Sequence, residues 1–344
     1  MEHGVDLTSL YHGFLREVLH LKTGENLLVY ADTNRDKTIA DDLLSCAQMM
    51  GIETEFFQLN TFANLQEASE GLFKKIGAGS YDAVCELSEQ YYYPTRAWAG
   101  AVEKGCRIYA LGPMDRGGFV RCFGAVNHEK LAVFGTAIQE ALSIARDIRI
   151  ESNSGTKLHL RMNTSWLAKQ MLALLNLKTR CSWVGQPTGR LRREGGATFL
   201  PGQVSFLGIP KSIEGRAVID GYMWPPKELG HLQDPIVLTI KQGRVVTISG
   251  CETKAKLLSH WLRGKKRRIE HFCVGFHPGA RVAGNLIEAE RAFGHIAIGL
   301  GQFPFHTDAI MTRPKLVADG SVLIDDQSFK DRQLPSLAEL MTAH

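Results

Sequence analysis

IEHFCVGFHPGA (269–280), followed by FGHIAIG (293–299) and FHTD (305–308), is the stretch on which the reading of this chain turns. It places four histidines and an aspartate among short apolar runs and glycines. Short apolar segments ending in imidazole and carboxylate are what a buried metal site requires. Neutral imidazole suits iron, zinc, copper and nickel, and a single carboxylate adds hard character. Two His and one Asp with open positions is the donor set of a mononuclear iron(II) site.

His306 and Asp308 are two apart, so an extended strand offers both to one side. The spacing is weak evidence alone, because His-x-Asp also arises as a surface His beside a solvated Asp. His271 sits inside IEHFCVG with apolar Phe272 and Val274 nearby, where a hydrogen-bonded core histidine is the common case. His295 follows Gly294 and opens the strand HIAIG. His277 precedes Pro278 in a turn and reads as a rim residue. The case for His271, His295, His306 and Asp308 is that they share one glycine-punctuated segment.

Outward from this segment, the first 150 residues alternate strand-like and helix-like patterns. ENLLVYAD (25–32), IETEFFQL (52–59), YDAVCEL (81–87) and CRIYALG (106–112) read as strands. Helical spacing covers 7–21, 37–50, 65–76, a stretch from Pro94 to about Lys104, and 128–146. Strands separated by helices predict a parallel sheet with helices packed on it. Past residue 150 the pattern changes to hairpins: IESNSGTKLHLRM (150–162), IVLTIKQGRVVTISG (236–250) and PKLVADGSVLIDD (314–326). Helices are expected at 165–175, 252–262 and 285–292. The Arg-, Gly- and Thr-rich stretch 176–197 reads as a loop. The expectation is an α/β domain over 1–150 and an α+β metal-site domain over 151–344.

The 344 residues, 44% hydrophobic and 22% charged, are those of a globular protein with a net charge of +4. The basic run RGKKRR (263–268) reads as a solvated loop after a helix, and no aromatic interleaving argues for nucleic acid. Seven scattered cysteines without a CxxC pair suit a reducing compartment. The N-terminal residues lack the basic and apolar regions of a signal peptide, and no run of about 18 apolar residues spans a membrane. A cytoplasmic location is the default expectation. Tyr91, Tyr92 and Tyr93 offer ring faces and donors to a pocket, while Glu288 and Glu290 read as an exposed helical pair.

Several motifs together resemble the aminopeptidase T type of metallopeptidase: HxxxGxxPxA (271–280), GHIAIG (294–299) and HTD (306–308), with SGTKLHL (154–160), LPGQVSF (200–206) and EGRAVIDG (214–221) in support. KTGENLLVY (22–30) fits as well, so the resemblance spans nearly the whole chain. Those peptidases hold two metals with a carboxylate-rich set. Here Gln203 and His271 stand where that pattern has glutamates, which removes two negative charges. The His-for-Glu change is similar to the 2,5-dihydroxypyridine 5,6-dioxygenase branch of the fold, an iron(II) ring-cleaving group. By its motif, His271, His306 and Asp308 fall on the three ligands. Tyr92 and Phe199 stand where that branch has histidines.

The resemblance thus implies an aminopeptidase T-like fold and an iron(II)-dependent dioxygenase acting with O2 on a small hydroxylated aromatic or heteroaromatic substrate. His295 and Tyr92 are the expected proton-handling residues, and Tyr93, Phe199, Gln203 and Arg190 the expected substrate contacts. Arg192 and Arg193 are further candidates for a substrate carboxylate. Zinc or another divalent metal is the alternative ion, and a metal-dependent aminopeptidase or amidohydrolase is the alternative activity. By analogy with the fold, a homo-oligomer is expected.

Overall fold

The computed structural model describes residues 6–32, 37–60, 70–77, 81–89, 96–163, 182–185, 189–263, 267–282, 285–302, 305–326, 328–329 and 336–341. The expected helix over 165–175, Tyr91–Tyr93 and part of the basic run lie outside these residues. In chain order the early strands are β1 (Asn26–Asp32), β2 (Glu53–Leu59), β3 (Ala83–Leu87), β4 (Arg107–Ala110), β5 (Asp147–Glu151), β6 (Lys157–Arg161), β7 (Trp183–Gly185), β8 (Gly196–Phe199), β9 (Gln203–Leu207) and β10 (Glu214–Ile219). They are followed by β11 (Tyr222–Trp224), β12 (Gly230–His231), β13 (Ile236–Lys241), β14 (Arg244–Gly250), β15 (Ile269–Gly275), β16 (Ile296–Leu300), β17 (Thr307–Met311), β18 (Lys315–Ala318), β19 (Ser321–Asp325) and β20 (Ser328–Phe329).

The chain forms two compact units. The first comprises Met1–Val126, Pro187–Pro201 and Met341–His344, and the second Asn127–Gln186 and Gly202–Leu340. The division therefore interleaves instead of cutting once near residue 150. The helix Asn127 caps, His128–Ile144, belongs with the second unit. The stretch expected as a loop over 176–197 carries β7 and the start of β8, and β8 pairs in parallel with β4.

The first unit is a parallel sheet in the order β2-β1-β3-β4-β8. In β1, Leu27, Leu28, Val29 and Tyr30 are all fully buried, as expected of a strand covered on both faces. The edge strand β2 is half-exposed. A helix over Arg96–Glu103 closes on the sheet through Trp98, whose indole donates to the Tyr30 hydroxyl at 3.0 Å.

The second unit holds two antiparallel sheets: β14-β13-β10-β6-β5-β18-β19-β20, and β12-β11-β17-β16-β15-β9-β7. The expected hairpin β5–β6 forms, and so do the expected hairpins β13–β14 and β18–β19. The turns of the last two place Gln242–Gly243 and Asp319–Gly320 at positive φ, the conformation that Asn/Asp-Gly-type turns supply. In the seven-stranded sheet every residue of β16 and β17 is buried. No helix of the described residues is long and apolar enough to cross a membrane.

Candidate metal centre

Three neighbouring strands build the centre, and their register does the work. His271 on β15 faces Gly299 on β16, and Gly299 faces Asp308 on β17. Strands two apart lie roughly 10 Å from each other, too far for short side chains to meet over an occupied middle position. Gly299 leaves that position open. A Cβ built there would lie 2.4, 2.6 and 2.7 Å from the Cε1, Nε2 and Nδ1 atoms of His271. The imidazole thus lies over the middle strand, with Nε2 3.0 Å from Asp308 Oδ1. A register irregularity between Ile269 and His271 re-aims the strand at this point.

His306 sits one residue before β17. Its Nδ1 lies 2.8 Å from the Gly301 carbonyl oxygen. A carbonyl only accepts, so Nδ1 carries a proton and Nε2 is the nitrogen left to ligate an ion once its own proton is displaced. That Nε2 is 3.0 Å from Asp308 Oδ2. Fixing a ligand's tautomer through its second nitrogen is the usual arrangement of a metal-binding histidine. One ligand atom each from His271, His306 and Asp308 lies within 4.8 Å of the others. The Asp308 carboxylate is 2% exposed, while the imidazoles keep 21% and 20% of their surface. The centre is anchored at its base and open at the imidazoles.

The electrostatics fit a cation. Burial alone would raise the Asp308 carboxyl, but His306 and His271 outweigh it and hold the group far below the usual carboxylate range. Burial opposes charge on His271, yet Cys273 and Asp308 raise the ring well above its ordinary value. His306 is raised against burial by Asp308, with His271 opposing. A buried carboxylate that draws two imidazoles to itself, over a glycine that leaves room for them, is a donor set suited to a divalent ion.

Four groups around the triad escape a reading of spacing alone. Gly299 is invisible without the register. Cys273, two residues from His271 and on its side of β15, contacts that ring and lies 3.2 Å from Ser205 Oγ. Gly301 supplies the carbonyl for His306. Glu290 is 8% exposed and Glu288 3%, which corrects the expectation of a solvated pair. Burial, then the proximity of Asp308, pushes the Glu290 carboxyl up to about 7. The only signal for them in the sequence is the glycine recurrence in GHIAIGLG.

The remaining candidates fall elsewhere. His295 lies one residue before β16 and four before Gly299, about 13 Å along a strand, beside Met311, Asp220 and Arg313. Burial brings its ring down to about 4, so it is uncharged at neutral pH. The structure does not bring it to the triad. His277, expected at the rim, is fully buried. Its ring packs against Gly202, where a Cβ would fall 2.4 Å from His277 Cβ. Gln203 is buried opposite Gly275, donating from Nε2 to Ser205 Oγ at 3.2 Å, while its Oε1 has no hydrogen-bond partner among the described residues. Phe199 ends β8 in the first unit and packs near Trp98 with ring centroids 6.4 Å apart. Arg190, Arg192 and Arg193 are exposed in the same unit. Tyr92 and Tyr93 lie outside the described residues.

No family model and no curated protein matches the sequence. Solved structures do match. The chain is similar to a 2,5-dihydroxypyridine dioxygenase from Pseudomonas putida KT2440, with a TM-score of 0.71 and 15% identity, over 94% of this chain and 96% of that one. It is also similar to wild-type AmpT from Thermus thermophilus, with a TM-score of 0.61 and 14% identity, over 94% and 98%. The aminopeptidase T-like fold is therefore shared over nearly the whole length.

Proposed function

We propose that this protein is a mononuclear iron(II) oxygenase of a small hydroxylated aromatic or heteroaromatic compound. The observation that carries the reading is the donor set. Two imidazoles and one carboxylate converge, and among the described residues no other His, Cys, Asp or Glu ligand atom joins the group. That composition leaves coordination positions for substrate oxygens and O2. The solved dioxygenase of the same fold suggests the substrate class.

Bound at the triad, iron(II) would supply Lewis acidity toward a substrate hydroxyl and electrons for O2. The chain's own residues hold and shape the site. Gly301 locks the His306 tautomer, Gly299 admits the His271 ring, and the buried Asp308 carries the negative charge. From the resemblance, Tyr92 is proposed to handle protons, and Tyr93, Phe199, Gln203 and Arg190 to contact substrate.

The test is anaerobic reconstitution with iron(II), followed by oxygen consumption across dihydroxypyridines and hydroxylated aromatic acids. We expect one iron per chain and substrate-dependent O2 uptake, both lost in His306→Ala. Two zinc or cobalt ions per chain with arylamide hydrolysis and no O2 uptake would replace this reading with the hydrolase.

A further inference from the structure

The sheet face that carries the triad runs on past β15, over β9, to the edge strand β7. Ser205 on β9 pairs with Cys273 on β15 and with Gly185 on β7. Ser205 Oγ lies 3.2 Å from Cys273 Sγ, so both side chains share one face, and His271, two residues before Cys273, shares it too. One step beyond the Phe272–Phe206 pair, Leu207 comes abreast of His271, and by the strand period it points to the side of Ser205. Trp183 on β7 is the register partner of Leu207. Its ring atoms Cζ3 and Cε3 lie 3.7 and 3.9 Å from where a Gly185 Cβ would be, which puts the indole on this same face.

The two faces differ in exposure. Val204, Phe206, Phe272 and Val274 on the far face are fully buried, and Phe206 stacks on Phe272 with ring centroids 5.5 Å apart. On the triad face Ser205 and Leu207 are half-buried, both imidazoles keep part of their surface, and Trp183 is 41% exposed. Large apolar side chains scattered singly on a surface need no explanation. Trp183 is not single: it ends a row of partly exposed residues that begins at His271, on the open side of the metal centre, and passes over Leu207. With β7 two strands from β15, the row spans roughly 10 Å. One six-membered ring held at the metal fills only part of that span. Neither Leu207, Ser205 nor Trp183 carries a charge, which favours an uncharged, apolar extension over a carboxylate at this end.

We infer that Trp183 is a specificity-determining residue: its indole walls the far end of the substrate site and stacks on the second ring of a bicyclic or aryl-substituted hydroxyaromatic compound. The inference deepens the oxygenase reading and rests on it for the place of the first, hydroxyl-bearing ring. A tryptophan suits the role because an aromatic pair gains stabilisation beyond the area it buries.

The test is anaerobic calorimetry on the full-length protein loaded with iron(II) and freed of excess metal. The probes are catechol and 2,3-dihydroxynaphthalene, which present the same diol and differ by one ring. Wild type is expected to bind the naphthalenediol about tenfold more tightly than catechol. Trp183→Ala is expected to lose that margin with catechol affinity unchanged, and Trp183→Phe, which keeps an aromatic face, to return most of it. Should the alanine variant lose both diols through misfolding, Trp183→Leu keeps apolar bulk without the ring and is expected to show the same lost margin. Equal affinities for the two diols in wild type, or a full margin surviving in the folded alanine or leucine variant, would overturn the inference and leave the oxygenase reading standing. Failure of iron-loaded wild type to bind either diol would remove that reading and this inference together.

Discussion

Glu86 shows how far a single side chain of this protein departs from its solution behaviour. It is fully buried in β3, taking hydrogen bonds from Ser88 N at 2.6 Å, from the Ser88 hydroxyl, and from Gly112 N at 3.2 Å. Burial pushes its carboxyl up to about 8, with Asp32 adding to the shift and the Ser88 and Gly112 donors opposing it. A folded-state value above the unfolded one contributes stability that is fully present below about 4.5 and lost as pH rises through about 8. The loss proceeds at no more than about 1.4 kcal/mol per pH unit, the slope of one proton. Glu86→Gln removes that titration. Its stability relative to wild type, from urea unfolding at pH 5, 6.5 and 8, is expected to improve steadily with pH. Parallel pH profiles would refute the assignment. At this scale the sequence disclosed the triad because His-x-Asp is a strand-period pattern and His271 stood in a familiar motif. It hid Glu290 and His277, because their burial depends on turns docking against Gly275 and Gly202, and spacing carries no information about docking.

Among the elements, β16 decides whether the centre exists. Its Gly299 separates His271 from Asp308 in register. In Gly299→Ala the new methyl collides with the His271 ring and with no nearer neighbour. Overpacking of this kind costs typically 1–3 kcal/mol. The same substitution in a His271→Ala background has no ring to meet. A double-mutant cycle by chemical denaturation is therefore expected to give a coupling of about 1–3 kcal/mol between positions 299 and 271, and Gly299→Ala alone is expected to lose divalent-metal binding. An equal penalty in both backgrounds would mean that the glycine serves general packing only. The hairpins were legible because Gln242–Gly243 and Asp319–Gly320 are turn chemistry written locally. The strand β8 was not, since Gly196–Phe199 becomes a strand by pairing with β4, about 90 residues earlier, and propensity does not report on distant partners.

Across the whole molecule, every triad residue belongs to the unit formed by Asn127–Gln186 and Gly202–Leu340, and none to the other. The change from strand–helix alternation to hairpins marked two architectures in the sequence. It did not reveal that the chain returns to the first unit over Pro187–Pro201, because that return is set by sheet completion and not by local pattern. The placement has a thermodynamic consequence. A ligand that binds only the native state stabilises what it binds, by about 2.7 kcal/mol at a hundred times its dissociation constant. Divalent metal is therefore expected to slow amide exchange in β15, β16 and β17, and to leave β1 and β3 of the parallel sheet unchanged. The effect should grow with pH. Although burial opposes charge on them, the His271 and His306 rings are raised above their ordinary value by neighbours that include Asp308, and the ion must displace those protons to bind. Hydrogen–deuterium exchange with and without manganese(II), at pH 6 and pH 8, reads both trends. Protection spread evenly over both units, or stronger at pH 6, would show that the ion acts somewhere other than this triad.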